Sequence, residues 1–207
     1  MSTEADESSL LAVIQHYQPQ LKNSLRSVAK SLKSYYQCTS ATVQLLVAYS
    51  NSIAQLAYAN TDNWGNLAPF LQVREIVTEG IERDVIEKED MCQQQLSQLK
   101  GEITAMEVQL ETLRYIQNEM RREVGDVESR LLVFNSVSTM DSILLAVEDV
   151  IRSLREDHSM RCQIVEAMKT ASTEQIGVYL SAWKYSPCIK QSAVDRFEAI
   201  VTNELET

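Results

Sequence analysis

A chain of 207 residues with only 5 Gly and 3 Pro is poor in the residues that tight turns and sheet corners require, so it is expected to be helical with few loops. Its 44% hydrophobic content excludes a wholly disordered chain, and its length suffices for one domain or one helical bundle. A net charge of −10 disfavours generic binding to nucleic acid or anionic membrane, both of which need Lys and Arg against phosphate.

Residues 1–8 read as a disordered acidic tail, and residues 9–207 as a single elongated helical domain. Ser8 or Ser9 suits a helix cap ahead of Leu10, Leu11, Val13, Ile14 and Tyr17. Pro19 either kinks one continuous helix or opens a second. A stripe then runs through Leu21, Leu25, Val28, Leu32, Tyr35, Thr39, Thr42, Leu46, Tyr49, Ile53 and Leu56, so a long helix is expected over about 9–59. The polar run Asn60 to Asn66 is the clearest break.

A second long helix is expected over about 68–134, with Pro69 in its first turn. Leu96, Leu99, Ile103, Met106, Leu110, Leu113, Met120, Val124, Val127, Leu131 and Phe134 keep a 3-4 spacing along it, and Gln117 fills the one polar slot. Such a seam must be buried against other helices. Gln117 is either a buried amide that sets register or a wet residue where the seam splays. Gly80, Gly101 and Gly125 are candidate kinks or close-approach points. The stretch from Cys92 to Phe134 alone would be roughly 65 Å long as a helix, which points to an elongated shape.

Asn135 to Ser138 reads as a turn. Ser138 with Asp141, Ser172 with Gln175, and Ser192 with Asp195 are capping-box pairs that open helices over about 139–170, 173–184 and 193–206. The first carries Met140, Leu144, Val147, Ile151, Leu154, His158 and Val165 on one face. The last carries Val194, Phe197, Ile200, Val201 and Leu205.

Little of the sequence is left for chemistry. The H-E-x-x-H, G-x-S-x-G, Walker A and G-x-G-x-x-G motifs are absent, so no catalytic, cofactor-binding or metal site is expected. His16 and His158 lie far apart, and His158 falls on an apolar stripe as a satisfied, partly buried side chain. Cys38, Cys92, Cys162 and Cys188 form no C-x-x-C pair and are expected as free thiols in a reducing compartment, cytoplasm or nucleus. The start lacks a signal-peptide pattern, and no apolar run is long enough to span a bilayer.

Charge is unevenly placed. No acid occurs between Glu7 and Asp62, where Lys22, Arg26, Lys30 and Lys33 form a basic strip. That strip either lies against an acidic helix or docks an acidic partner. The acids from Glu75 to Asp90 read as a solvated face with i,i+4 pairs, or as a docking strip.

The C-terminal third carries Tyr179-Leu-Ser-Ala-Trp183, Pro187 and Val194-Asp-Arg-Phe-Glu-Ala-Ile200, preceded by a helical stretch from Ser138 to Met168. On these residues, and over 136–205, it resembles the CINP and AIRIM family of small helical eukaryotic adaptor proteins, whose penultimate helix has similar length and phase. The resemblance implies a non-enzymatic adaptor, paired with a related helical protein as a heterodimer. It also implies an AAA ATPase partner acting on precursor large ribosomal subunits. Tyr179, Trp183 and Phe197 would anchor the matched element, either locking a short helix onto the bundle or meeting a partner.

The expectation is therefore an all-α, elongated, antiparallel bundle with coiled-coil-like seams and a short C-terminal helical hairpin. Its rival role is as a subunit of a coiled-coil cell-cycle, checkpoint, spindle or kinetochore scaffold.

Overall fold

The computed structural model describes residues 3–61, 64–125, 129, 133–134 and 138–205. Among them five α-helices carry the chain: α1 (Thr3–Ala59), α2 (Leu71–Val124), α3 (Met140–Met168), α4 (Thr173–Tyr185) and α5 (Gln191–Leu205). A 3-10 turn spans Gly65–Leu67, and two-residue strands β1 (Val133–Phe134) and β2 (Ser138–Thr139) pair antiparallel, Phe134 opposite Ser138. The fold is an all-α helical bundle.

Local chemistry moves several boundaries from those expected. α1 begins at Thr3, so the acidic start is helical from there, in keeping with the preference of acids for a helix N-terminus. It continues through Pro19 without a second start. α2 begins at Leu71, after Pro69 rather than around it. It ends at Val124, well before Phe134. Gly125 adopts φ +91, and its N–H bonds the Arg121 carbonyl at 3.0 Å, closing the helix as a left-handed C-terminal residue. Val127, Leu131 and the turn at 135–137 lie outside the described residues. Gly80 and Gly101 are helical with open space where a side chain would stand, so neither is a close-approach point within the chain.

The expected cap at Ser138 also shifts. Thr139 Oγ1 accepts from Ser142 N (3.3 Å), and Asp141 instead accepts from Gln117 Nε2. The Ser172–Gln175 capping box forms as expected. α5 opens at Gln191, whose side chain engages Asp195, in place of a start at Ser192.

The chain divides into two compact units. One takes Met1–Tyr35, Gly101–Glu156 and Cys188–Thr207, the other Tyr36–Lys100 and Asp157–Pro187. In the first, Leu21, Leu25, Val28 and Tyr35 of α1 are buried with Met106, Leu113, Ile116 and Met120 of α2, Ile143, Val147, Val150 and Leu154 of α3, and Val194 and Phe197 of α5. Each such side chain contributes about 1.5–3 kcal/mol. Tyr17 Oη donates to Glu123 (2.6 Å) and Ser34 Oγ to Glu102 (2.7 Å), so residue numbers fall along α2 as they rise along α1. Arg114 to Glu148 (2.7 Å) and Arg155 to Glu107 (2.7 Å) give the same sense for α2 and α3. In this unit α1 and α2 run antiparallel, as do α2 and α3.

The second unit uses the same antiparallel logic. Cys38 Sγ donates to Gln95 (3.1 Å) and Ser52 Oγ to Asp84 (2.6 Å), tying α1 to α2. The His158 Nε2 is 3.1 Å from the Leu96 carbonyl, and Lys169 Nζ is 2.8 Å from Glu89, tying the end of α3 to α2. Thr42, Ser50 and Ser52 on the buried side of α1 satisfy their hydroxyls on carbonyls three or four residues back, which lets polar residues occupy a helix seam.

One seam differs in phase from the expectation, and a second is broader than expected. Ile116, fully buried, fills the slot assigned to Gln117, so no polar residue interrupts the stripe. The spacing Leu110, Leu113, Ile116, Met120 compresses the heptad locally. α3 buries the expected Met140, Leu144, Val147, Ile151, Leu154 and Val165, and alongside them Ile143, Val150, Asp157, Arg161, Ile164 and Met168, so that a 3-4 line through Met140, Ile143, Val147, Val150, Leu154, Asp157, Arg161, Ile164 and Met168 carries an ion pair in two of its slots.

Candidate interaction surface

The C-terminal aromatic residues fall into different units. Trp183, in α4, is buried and lies beneath the Arg161 guanidinium, whose carbon sits 4.6 Å from the ring centroid. Arg161 is itself fully buried, bonded through Nε to Asp157 Oδ2 at 2.6 Å and through Nη2 to Ser186 Oγ. Ser186 takes a left-handed conformation (φ 45) that ends α4 and turns its hydroxyl to the arginine. Tyr179 is half-buried on the same helix. Phe197 belongs to the other unit, buried with Val194 and Ile200. Trp183 and Phe197 therefore serve internal packing, and the exposed aromatic and apolar surface of α4 is Tyr185 and Val178 instead.

The basic strip lies along one side of α1. Arg26, Lys30 and Lys33 are exposed and Lys22 is half-buried. Arg26 Nη1 donates to Asn23 (3.3 Å), one turn away. Lys22 lies close enough to Glu204 to favour its ionised form. Glu204 is fully buried on the apolar face of α5, and burial raises its pKa, against a Ser138 hydrogen bond and Lys22, which lower it.

The most exposed apolar surface is the tip of the α1–α2 hairpin. No residue of α2 from Leu71 to Met91 is buried, and on α1 beyond Ser52 only Ala59 is buried, with Ile53 and Leu56 half-buried. α3 ends at Met168, level with Glu89. Leu67, Phe70, Leu71, Val73, Ile76 and Val77 are all exposed, Ile76 at 67%. Contiguous apolar exposure of this kind marks interaction sites on soluble folds.

The tip is nevertheless firmly built. Trp64 Nε1 donates to the Ala59 carbonyl (3.0 Å), and Arg74 stacks over the indole at 5.3 Å. Ser52, Asp84 and Lys88 form a polar cross-link, and the hydrogen bonds from Lys88 and Ser52 hold the Asp84 carboxyl below the usual carboxylate range. Between the helices lies a groove of about 520 Å³ lined by Asn51, Ala54, Tyr58, Trp64, Val77 and Ile81. A second groove, on the side of Glu75, Glu79 and Glu82, measures about 430 Å³.

Sequence reasoning missed the tip because α2 was assigned a seam only from Leu96 onward. The available signal was the set Val73, Ile76, Val77 and Gly80, spaced i, i+3, i+4 and i+7. It also missed Asp157 and Arg161. Their i,i+4 spacing within the α3 seam was the available sign.

Among the described residues no group of three or more His, Cys, Asp or Glu side chains is placed to hold a metal ion, and no helix is long and apolar enough to cross a membrane. None of the four cysteines is joined in a disulfide. Burial pushes the Cys92 thiol up to about 11 and raises that of Cys162, the opposite of what activates a nucleophile. His158, half-buried, directs one ring nitrogen to the Leu96 carbonyl and lies 3.8 Å from Cys162 Sγ.

No protein-family model matches the chain, and no curated protein matches it in sequence.

Proposed function

We propose that this chain is a non-enzymatic adaptor that joins an AAA ATPase to precursor large ribosomal subunits in the cytoplasm, held in a heterodimer with a related helical protein. The observation that carries the adaptor reading is the uncovered hairpin tip, a firmly built surface whose apolar residues face solvent. The ATPase and ribosomal part rests on the resemblance of residues 136–205 to CINP and AIRIM. Sedimentation of native extract tests it. The chain should migrate with precursor large subunits, and its depletion should leave those precursors unfinished in the cytoplasm. Migration away from every ribosomal fraction would exclude the role.

The 3-4 seams of α2 and α3 favour a second reading, a subunit of a coiled-coil scaffold. Co-purification with a fixed set of long coiled-coil proteins, and no ATPase, would select it.

A further inference from the structure

We infer that the α1–α2 tip receives an amphipathic helix with basic flanks, supplied by a partner chain. The inference rests on the adaptor reading and names the chemistry of what docks. Val73, Ile76, Val77 and Gly80 form the i, i+3, i+4, i+7 stripe by which one helix meets another, and none of the four is buried. Gly80 has open space above it, so a second backbone can approach the helix closely there. Beside the stripe, the groove at Tyr58, Trp64 and Val77 is of a size to take a large side chain.

Charge selects the sign of the partner. α1 carries no charged residue between Lys33 and Asp62, so its side of the tip is electrically silent. From Leu71 to Asp90, α2 carries three basic residues, Arg74, Arg83 and Lys88, against seven acidic ones. Lys88 is engaged with Asp84, while Arg74 over Trp64 and the exposed Arg83, bonded to the Glu79 carbonyl, keep their charges; the exposed Glu75, Glu79, Glu82, Glu87 and Asp90 outnumber them and set the sign of the field. A helix seated on the stripe meets neutral residues on the α1 side and, on the other, Glu79 and Glu87 with Arg83 between them, within a net acidic field. Lys or Arg on its flank is attracted, and Asp or Glu is repelled.

The test uses the full chain and two synthetic helical peptides with the same Leu-rich face, one flanked by Lys and one by Glu, measured by fluorescence anisotropy. The Lys peptide should bind at least about tenfold more tightly than the Glu peptide, and the preference should shrink with salt. The triple variant E75K/E79K/E82K should reverse it. Ile76→Asp should abolish binding of both while circular dichroism stays unchanged, because Ile76 is exposed. Equal binding of the two peptides, each lost in Ile76→Asp, would overturn the basic partner and leave an adaptor with an apolar dock. Failure of both peptides to bind would overturn the dock itself. A homodimer in light scattering that dissociates in Ile76→Asp would overturn the partner chain in favour of a second copy. The ribosomal reading is judged separately by sedimentation.

Discussion

The Arg161 guanidinium lies over the Trp183 ring, 4.6 Å from its centroid, and both side chains are removed from water. A buried arginine is tolerated only with its charge matched, and Asp157 one turn earlier on α3 supplies the match. The pair ties α4 to α3, and Ser186 closes the corner.

Breaking that arrangement should be costly. Asp157→Asn or Arg161→Leu leaves one partner without its counter-charge and is expected to lower stability by about 3–5 kcal/mol. Trp183→Ala should cost about as much through the lost volume. Replacing both members with Asp157→Leu and Arg161→Met should be far milder than either single change. Chemical denaturation of the four variants checks the series.

Glu204 gives a prediction with a definite pH sign. Its folded pKa is raised, chiefly by burial. Its protonated form therefore favours the fold. That contribution is complete below the ordinary carboxylate range and is lost as pH rises through the folded value. Glu204→Gln keeps the shape without the charge. Its Tm should exceed that of the parent at pH 7 and converge on it near pH 4, in paired thermal melts.

Alkaline unfolding should report Tyr17 and Tyr49, both raised to about 12. For Tyr17 the first cause is its hydrogen bond to Glu123, and for Tyr49 it is burial. A tyrosine raised above its ordinary value near 10 adds stability that is complete below about pH 10 and lost between about 10 and 12. Denaturant titrations across that window should show a decline, and Tyr17→Phe should flatten it.

The two open helical glycines should separate stability from docking. Gly101→Ala and Gly80→Ala should each stabilise the chain by up to about 1 kcal/mol, because nothing lies where the new methyl would stand. Gly80→Leu should leave the fold intact and weaken partner binding, whereas Gly101→Leu should leave binding unchanged. Thermal melts and partner titration together decide this.

Much of the bundle was legible because buried helix faces repeat. The α1 stripe from Leu21 to Tyr49 is buried as its spacing requires, and Ser172–Gln175 opens α4 as its sequence pattern indicates. The errors have physical sources. Phe134 continues the 3-4 phase by coincidence, because a glycine in the left-handed region stops α2 at Val124. Gln117 looked like a defect because Ile116, one residue away, compresses the repeat. Asp157 and Arg161 were hidden because charged residues count as surface until a partner one turn away neutralises them. The tip was illegible for a different reason: periodicity marks an apolar face but does not say whether this chain or another covers it.

The most direct measurement is a tagged pull-down of the full chain from native extract with quantitative mass spectrometry, run beside Ile76→Asp. The parent chain should recover an AAA ATPase, large-subunit precursor proteins and a second small helical protein, and at least one of these should be depleted with the variant. Recovery of none of them with the parent, or recovery identical in the variant, would contradict an adaptor that works through the tip of its α1–α2 hairpin.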